Sequence, residues 1–419
     1  MNNRLSGEDE IPQAPVICEL RNNRPTAQVL RPLDTNHYET WHVAFSHNCK
    51  YFAWSCGNRV VRLVQWNKQK TKVGWNNDGS RIVADQNGSP KPWKQIDCPD
   101  FVHSIAFGSS VPRKKWRNVK VYHKYNYESE NELILAIGLQ NGKILTYDVT
   151  REQKLVLADH HETITDLRFA PDGSLILLSA CKDRTLKVWD MKDDGNMIVT
   201  LKGHTRPVRG CGFSHDASLL ASVGDGCAVL LWDMKTYKRI RKLTGHYNDV
   251  VACEFSSDGA LLVTASRDTK AIIWDPHLGI VLKEFFHMSP PPPKILAGGA
   301  NHTWLRDVAF SPFGTHIMTV ADDNQCRFWN VFDNSSPKFV TVLPDSISCC
   351  FSPDGRVAAV GSKNGSVHFI SYPVSVQKLA QLCRHVIRRI VQNTNNIDRL
   401  SVPLPLKRYL MYRDFETFG

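Results

Sequence analysis

The sequence has no apolar run long enough to cross a bilayer, which takes roughly 20 residues. Its first ten residues, MNNRLSGEDE, also lack the apolar core of a secretory signal. Of the 419 residues 42% are hydrophobic, an ordinary share for a folded chain, so the composition argues against an unstructured protein as well. We therefore expect an intracellular protein, cytoplasmic or nuclear or both, that does not bind a membrane.

Paired cysteine motifs are also missing. The chain has 12 cysteines, none in a CxxC motif, and no group of Cys and His at the close spacing that zinc requires. Several cysteines, such as Cys253 and Cys349, stand in apolar runs where a thiol acts as a small hydrophobic group. We expect reduced cysteines, no metal and no cofactor.

Acidic residues are scarce near the end of the chain. The formal net charge is +11, and the stretch from Val376 to Arg413 has eight Lys or Arg against the single acid Asp398. A second basic cluster, PRKKWRNVKVYHK, occupies residues 112–124. Basic patches with interleaved aromatics occur in proteins that bind RNA or anionic surfaces, but most such charge is solvated loop charge. Binding of RNA or an anionic surface by these basic stretches is therefore one functional hypothesis for the chain.

A repeat fills most of the chain. Three segments alternate apolar and polar residues around a turn and end in Trp-Asp, and their tryptophans, Trp189, Trp232 and Trp274, are 43 and 42 residues apart. This is the period of a four-stranded propeller blade, and the pattern resembles the WD40 family. The three segments are LRFAPDGSLILLSACKDRTLKVWD (167–190), CGFSHDASLLASVGDGCAVLLWD (211–233) and CEFSSDGALLVTASRDTKAIIWD (253–275).

Weaker copies on both sides bring the number of repeats to seven. They lie at 43–66, 105–148, 308–330 and 349–370. Seven blades close into a ring, so we expect an all-β, seven-bladed WD40 β-propeller over residues 35–372. Residues 1–34 are expected to be partly disordered, and the segment from Pro15 to Leu30 is a candidate for the strand that closes the ring.

Two insertions interrupt the repeat period. One runs from Gly108 to Asn131 and contains the basic cluster, and the other runs from Phe285 to Asn301 and contains SPPPPK. Loops on a rigid scaffold often carry binding function. We expect both insertions near the face that bears the repeat-to-repeat loops, and we expect that face to select a target protein.

One recurring set contains four residues: a His, a Ser or Thr, an Asp and a Trp. Its first three members could be taken for the base, nucleophile and orienting acid of a catalytic triad, but the set recurs at blade-length offsets. A catalytic site is needed once, whereas a hydrogen-bond chain that braces each blade is needed in every blade. The resemblance to WD40 proteins implies this bracing role, and it implies a gap in the second aligned repeat, where Gly226 replaces the Asp. The predicted sets are His160, Ser179, Asp183 and Trp189; His246, Thr264, Asp268 and Trp274; and His302, Thr319, Asp323 and Trp329.

The β-pattern stops beyond Tyr372, and LAQLCRHVIRRI follows at 379–390. Its apolar residues recur at the spacing of one helical face, while Arg384, Arg388 and Arg389 fall elsewhere, so the segment predicts an amphipathic helix. We expect the apolar stripe to dock in a partner's groove and the long basic side chains to stay in water or meet acids at its rim.

Leu379, Cys383 and Ile387, spaced by four, are similar to the elongin-binding part of a SOCS box, and VPLP resembles the motif that selects a cullin-5-type scaffold. Seven WD repeats followed by such a box resemble the WD repeat and SOCS box-containing family, more its member-1 type than the second paralogue. The resemblance implies a small α-helical SOCS box at 373–413, followed by a tail at 414–419. The implied elongin-binding residues are Leu379, Leu382, Cys383, Val386 and Ile387, and the implied cullin-binding residues are Val402, Pro403, Leu404 and Pro405.

The predicted function is therefore that of a non-catalytic substrate receptor of a ubiquitin ligase. The propeller would bind a target protein, and the box would bind elongin B and elongin C and, through them, a cullin-5-type cullin with its RING protein. The target would then be ubiquitinated and degraded by the proteasome. The rival hypothesis is a basic WD40 scaffold that binds RNA or an anionic surface. The salt dependence of binding distinguishes the two hypotheses, because phosphate contacts weaken steeply with ionic strength.

Overall fold

The structure, a computed structural model, describes residues 16–20, 39–56, 59–66, 74–75, 81–82, 94–110, 132–287, 303–333, 336–371, 379–391 and 393–413. Seven four-stranded antiparallel sheets make up nearly all of the described β-structure, and short helices follow them. The predicted fold class, a seven-bladed propeller with a C-terminal helical box, is confirmed. Within the described ranges, none of the helices has the length and apolar character needed to span a bilayer.

The first strand, β1 (Val16–Leu20), belongs to the last blade, and the other strands follow in chain order. Blade 1 contains β2 (Val43–Phe45), β3 (Tyr51–Cys56), β4 (Val60–Gln65) and β7 (Lys94–Asp97), with a hairpin of β5 (Gly74–Trp75) and β6 (Arg81–Ile82) before β7. Blade 2 contains β8 (Val102–Ser109), β9 (Leu133–Leu139), β10 (Lys143–Asp148) and β11 (Lys154–Ala158). Blade 3 contains β12 (Ile164–Phe169), β13 (Ile176–Cys181), β14 (Thr185–Asp190) and β15 (Asn196–Lys202).

The remaining blades repeat this four-stranded plan. Blade 4 contains β16 (Val208–Phe213), β17 (Leu219–Gly224), β18 (Ala228–Asp233) and β19 (Lys238–Leu243). Blade 5 contains β20 (Val250–Phe255), β21 (Leu262–Ser266), β22 (Lys270–Asp275) and β23 (Ile280–Phe286). Blade 6 contains β24 (Leu305–Phe310), β25 (His316–Ala321), β26 (Gln325–Asn330) and β27 (Phe339–Val342). Blade 7 contains β28 (Ser346–Phe351), β29 (Val357–Ser362), β30 (Val367–Ser371) and β1.

Blade 7 joins the two ends of the propeller sequence. β1 pairs antiparallel with β30, so that Val16 lies opposite Ile370 and Leu20 opposite Val367. β1 comes from the segment between Pro15 and Leu30 in which a closing strand was expected. This pairing makes the ring continuous, because the outermost strand of the last blade is supplied from the start of the chain.

The core lies between the blades. The apolar clusters of the propeller each join the facing sides of two neighbouring sheets, and together they follow the whole ring. Between blades 7 and 1, for example, Phe52 packs on Phe369 with ring centroids 5.0 Å apart. Removal of these sheet faces from water is the main stabilising contribution to such a fold.

Buried carboxylates on the innermost strands add hydrogen bonds between neighbouring blades. Each of three innermost strands carries an acid that accepts a backbone N–H of the next blade. Arg168 lies beside Asp166. The charge of Asp166 raises the pKa of the guanidinium and outweighs the opposite effect of burial. The three bonds run from Cys211 N to Asp166 (3.0 Å), from Phe310 N to Glu254 (2.6 Å) and from Cys349 N to Asp307 (2.8 Å).

The predicted four-residue sets in blades 3 and 5 each form one connected chain of hydrogen bonds. In blade 5, Trp274 Nε1 donates to Thr264 Oγ1 (2.8 Å), which lies 2.7 Å from His246 Nε2. His246 Nδ1 lies 2.8 Å from an Asp268 carboxylate oxygen. The corresponding distances in blade 3, along Trp189, Ser179, His160 and Asp183, are 2.9, 2.8 and 2.7 Å.

Blade 4 contains the gap anticipated from Gly226. His204 and Trp232 both bond to Ser222, at 2.7 and 2.9 Å, but His204 Nδ1 has no hydrogen-bond partner among the described residues. Burial lowers the pKa of His204 to about 4, so its ring is neutral at pH 7. Asp225 instead makes a two-bond ion pair with Arg209, at 2.7 and 2.9 Å.

In blade 6 the described histidine that bonds the threonine is His287. His287, directly after β23, bonds Thr319 Oγ1 at 2.8 Å, while His302 lies outside the described residues. Arg327 stands between this histidine and the aspartate, 2.8 Å from His287 Nδ1 and 2.6 Å from Asp323. Because arginine can only donate, His287 Nδ1 accepts and its Nε2 donates, the reverse of the arrangement in which a histidine donates Nδ1–H to an aspartate.

The ends of the strands form two faces. The upper face carries the connections between blades and the turns between second and third strands, and the lower face carries the other turns within the blades. The expectation that both insertions lie near the upper face was wrong for Gly108–Asn131, because that insertion joins β8 to β9 and so leaves from the lower face. The segment from Phe285 to Asn301 joins blade 5 to blade 6 and leaves from the upper face.

The hydrogen-bond chains predict unequal stability effects of two aspartates. Replacement of Asp268 by alanine should lower the free energy of unfolding by about 1–3 kcal/mol, because it removes the buried partner of His246 and of the Tyr247 N–H. Replacement of Asp225 by alanine should cost about 1 kcal/mol or less, because it breaks a partly exposed ion pair. Urea unfolding of the two variants measures both values, and equal losses would contradict the assignment of the bracing network to Asp268.

Candidate functional site

In the described residues after the propeller, three helices form a small core of their own. They are α1 (Leu379–Ile390), α2 (Thr394–Ile397) and α3 (Leu404–Leu410). The side chain of Asn393 caps α2 by accepting the Asn395 N–H at 2.9 Å. The apolar residues that hold the three helices together are Ile397, Leu410 and Met411, with Ile387, Val391 and Leu400 packed against them.

Two of the three arginines of α1 are buried against the protein, which corrects the expectation that the basic side chains stay in water or meet acids at the rim of a partner's groove. Arg384 and Arg388 are only 2% and 1% exposed. The guanidinium carbon of Arg384 lies 3.4 Å from the ring centroid of Tyr409 and 4.5 Å from that of Tyr412. Burial of the Arg384 guanidinium is tolerated because the faces of aromatic rings attract its charge, and Arg388 Nη2 donates to Thr394 Oγ1 at 3.2 Å.

This face attaches the helices to blade 5 and blade 6 at the lower face of the propeller. The ring of Phe332, in the turn after β26, stacks on Tyr412 at 6.0 Å and lies 4.9 Å from the Arg384 guanidinium. The Tyr412 hydroxyl donates to Asp258, in the turn between β20 and β21. Arg389 Nη2 donates to the Ser257 carbonyl at 3.3 Å. Tyr412, Arg384 and Arg389 therefore attach the three helices to the propeller.

The Tyr412–Asp258 bond is buried and polarised. Burial and then the charge of Asp258 raise the pKa of Tyr412 well above its ordinary value, so the hydroxyl keeps its proton and donates. Burial alone would raise the pKa of Asp258, but hydrogen bonds from Ser256 and Tyr412 outweigh it and hold that pKa below its ordinary value. A charge-assisted bond of this kind is about twice as strong as a neutral one.

Because the arginines face inward, much of the apolar stripe of α1 faces outward. Leu382 is 44% exposed and Val386 40%, and Cys383 and Ile390 are exposed beside them. Ile387 differs from the other predicted elongin-binding residues, since it packs into the core of the box. Leu379 begins α1, but its side chain is outside the described part of the structure.

The four residues predicted to bind a cullin lie at the start of α3. Pro403 is the N-cap residue and its carbonyl accepts the Lys407 N–H at 3.1 Å. Leu404 is 61% exposed and Pro405 is exposed, while Val402 is half-buried. Leu404 thus gives the box a second exposed apolar position.

A cavity of about 230 Å³ opens at the centre of the upper face. The innermost strands of blades 2 to 7 each contain a β-bulge near their first residue. A bulge redirects one side chain, and in all six blades the bulged residue lines this cavity. The six residues are His103, Thr165, Arg209, Val251, Arg306 and Ile347.

The cavity combines paired charges with apolar surface. Arg306 bonds Asp322 at 2.7 Å and Arg267 lies 3.3 Å from Asp249, so these guanidinium groups have carboxylate partners. Burial first, and also Lys182, lower the pKa of His103 to about 4, which makes it neutral at pH 7. The exposed Trp41 ring lies over His103 with centroids 5.5 Å apart. No pattern in the sequence marks these residues, because a bulge has no periodic signal.

Among the residues that the structure describes, one group could offer ligands to a metal: the ligand atoms of His160, Cys181 and Asp183 lie within 4.8 Å of one another. Its histidine and aspartate already belong to the hydrogen-bond chain of blade 3. Burial raises the pKa of Cys181 to about 12, so the sulfur is a thiol rather than the thiolate that metals bind. We assign these residues to blade bracing.

Comparison with known proteins identifies both parts of the chain. A model described as "WD domain, G-beta repeat" matches residues 151–190, 195–233, 237–275, 294–330 and 337–371, and a "SOCS box" model matches residues 375–411. The chain is 49% identical over 420 residues to "WD repeat and SOCS box-containing protein 1" of Xenopus tropicalis, with 97% of both chains covered. It is 49% identical over 388 residues to the protein of that name from Homo sapiens, with 90% of this chain and 91% of the relative covered.

The exposure of Cys383 leads to a chemical prediction. Cys383 is the exposed one among the eleven cysteines whose side chains the structure describes. N-ethylmaleimide at pH 7.5 should therefore alkylate Cys383 before the other ten, as followed by peptide mass spectrometry. Protection of Cys383 in the isolated native chain, with ready alkylation after denaturation, would mean that the protein covers the outer face of α1 itself.

Proposed function

The chain belongs to the WD repeat and SOCS box-containing protein family, and we propose that it is the target-binding subunit of a cullin–RING ubiquitin ligase. In this proposal the box binds elongin B and elongin C through the outer face of α1. The observation that carries the proposal is that Leu382, Cys383 and Val386 are exposed on a helix whose other side is held by the propeller.

An exposed apolar helix face of this kind suits the helix-in-groove mode of recognition. Leu382, Cys383 and Val386 are exposed outside the apolar core of the box, so these side chains are available to a partner. Ile387 is the exception among the proposed elongin-binding residues, since it packs inward and supports the helix from behind. Leu379 is proposed from its position in the motif alone.

We further propose that the start of α3 contacts a cullin-5-type cullin after elongin has bound. Pro403 and Pro405 fix the chain direction there, and Leu404 offers an exposed apolar side chain. The cullin would bring its RING protein and a ubiquitin-loaded enzyme. The chain itself would supply no catalytic group, and its contribution would be to raise the effective concentration of target lysines near that enzyme. Ubiquitination and proteasomal degradation of the target would follow.

The target is proposed to bind at the upper face, over the central cavity. Six blades direct a bulged side chain to this place, and those side chains are aromatic, hydroxyl, cationic and aliphatic. Such a ring of unlike groups can discriminate between protein segments by shape and by hydrogen bonding. Trp41, exposed at the rim, is the aromatic anchor that such an interface would use.

The rival hypothesis, a basic scaffold for RNA or an anionic surface, has less support. Arg384 and Arg388, two of the eight cations in the C-terminal stretch, are buried in the box and do not face a polyanion. The second basic cluster, 112–124, lies outside the described residues. Retention of elongins at high salt, with loss of any nucleic acid, would favour the ligase function over this alternative.

Elongin binding is tested by truncating two exposed side chains of α1. Cys383→Ala with Val386→Ala should weaken binding of purified elongin B/C by roughly 50-fold, because the two side chains would be buried in the complex at about 25 cal/mol per Å². The melting temperature should stay unchanged, since both side chains are outside the core. Titration calorimetry and thermal melting provide the two readouts, and unchanged affinity would contradict the proposal.

Two further variants separate elongin binding from cullin binding. Ile390→Ala truncates another exposed side chain on α1, one turn beyond the proposed site, and should bind elongins normally. Leu404→Ala with Pro405→Ala should also keep elongins but lose affinity for the cullin. Leu406→Ala is the matched control for α3, because Leu406 is also exposed but is outside the proposed motif.

Target binding is tested at the rim of the cavity. Trp41→Ala should reduce capture of specific binding proteins from cell extract by roughly tenfold, the usual effect of removing an aromatic anchor, while elongin capture stays constant. Ile240→Ala, which truncates an exposed side chain on the outer strand β19, serves as the control and should capture the same set as the unchanged protein. Identical sets for all three proteins, by quantitative mass spectrometry, would place the target surface elsewhere.

A further inference from the structure

The lower-face turn of blade 5 differs from its counterparts in what its aspartate bonds. In blades 4, 5 and 7 a Ser-x-Asp turn joins the first and second strands, and in each the serine hydroxyl donates to the aspartate at 2.6 Å. Asp258 uses one carboxylate oxygen for this turn and the other for the Tyr412 hydroxyl. It is buried, whereas Asp216 and Asp354 are half-buried. A repeated turn element has thus become an attachment point in one blade.

A second attachment lies beside it in blade 6. Phe332 stacks on Tyr412 with an angle of 14° between the ring planes, and the Arg384 guanidinium contacts both rings. Tyr412 also belongs to the apolar cluster between blades 5 and 6. Two blades therefore hold the box, one by a buried hydrogen bond and the other by an aromatic–guanidinium stack. Two such contacts restrict rotation of the box relative to the propeller as well as its separation from it.

From this geometry we infer that Tyr412, Phe332, Asp258 and Arg384 form a positioning device that holds the elongin-binding helix in one fixed orientation on the lower face. The cavity that we propose for the target opens on the upper face, so the attachment sets the separation and direction between target and ligase scaffold. This inference rests on the proposed function. Tyr412 is buried between the box and the propeller, so we treat it as a positioning residue rather than as part of a binding surface.

A fixed orientation has a consequence for lysine selection. If the box is rigidly attached, the ubiquitin-loaded enzyme reaches only the lysines that lie on one side of the propeller. If the box swings freely, the enzyme samples a larger volume and reaches more lysines at lower local concentration. The set of lysines modified on the receptor itself therefore reports the rigidity of the attachment without a known target.

The test uses the full chain with purified elongin B/C, cullin, RING protein, ubiquitin and its activating and conjugating enzymes. The double variant combines Phe332→Ala, which removes the propeller ring that stacks on Tyr412, with Tyr412→Phe, which removes the hydroxyl that bonds Asp258. Phe313→Ala is the matched control, since Phe313 is an exposed phenylalanine on the same face that lies near Gly355 of blade 7. Calorimetry first establishes elongin affinity, and mass spectrometry then maps the modified lysines.

We expect the double variant to bind elongins as the unchanged protein does, while the number of modified lysines roughly doubles and the rate at the preferred lysine falls roughly tenfold. Small-angle X-ray scattering of the elongin complex should change from one compact arrangement to a broader distribution. Phe313→Ala should match the unchanged protein in every readout. Normal elongin binding with the same lysines, rates and scattering in the double variant would overturn the inference.

Failure of the proposed function gives a different result. If the unchanged protein does not bind elongins, the ligase proposal fails, but scattering of the chain alone still compares the attached box with that of the double variant. If the double variant melts at a lower temperature and also loses elongins, the box has unfolded. Tyr412→Phe alone, which keeps every ring in place, then decides, because the inference requires it to broaden the lysine set while elongin binding persists.

Discussion

The Arg384 guanidinium lies against the rings of Phe332, Tyr409 and Tyr412, and this contact decides which side of α1 meets the propeller. An amphipathic helix beside a folded domain ordinarily buries its apolar stripe. Here aromatic rings make the arginine side favourable to bury, so Leu382 and Val386 remain in water. The availability of an apolar face for a partner thus depends on how a cation is accommodated on the opposite face.

The propeller can act as a support because its own stability comes from other interactions. Apolar clusters lie between neighbouring blades, and β1 completes the last blade by pairing with β30. The His–Asp chains brace individual blades near the upper face, while the attachment of the box uses the lower-face turns at Asp258 and Phe332. The two faces of the ring therefore hold different contacts, and the centre of the upper face stays open as a cavity.

The sequence predicted the repeats and the terminal helix because both have strong periods, the spacing of Trp189, Trp232 and Trp274 and the helical recurrence of the apolar stripe. It did not identify His287 as a partner of Thr319, since spacing alone does not show which of two histidines around an insertion reaches this threonine. It also failed for Arg384, because periodicity identifies two helix faces without showing which one a neighbour covers. The residues that line the cavity could not be predicted, because a bulge redirects one side chain without changing the alternation of apolar and polar residues along the strand.

Hydroxyl-radical footprinting with and without elongin B/C tests the central claim most directly, because it reports the exposure of individual side chains. In the free chain, Leu382 and Val386 should be oxidised readily while Tyr412 is protected. Elongin B/C should then protect Leu382 and Val386 and leave Tyr412 protected as before. Protection of Leu382 and Val386 in the free chain, or exposure of Tyr412 in either state, would show that α1 does not present its apolar face to a partner while its arginine face holds the propeller.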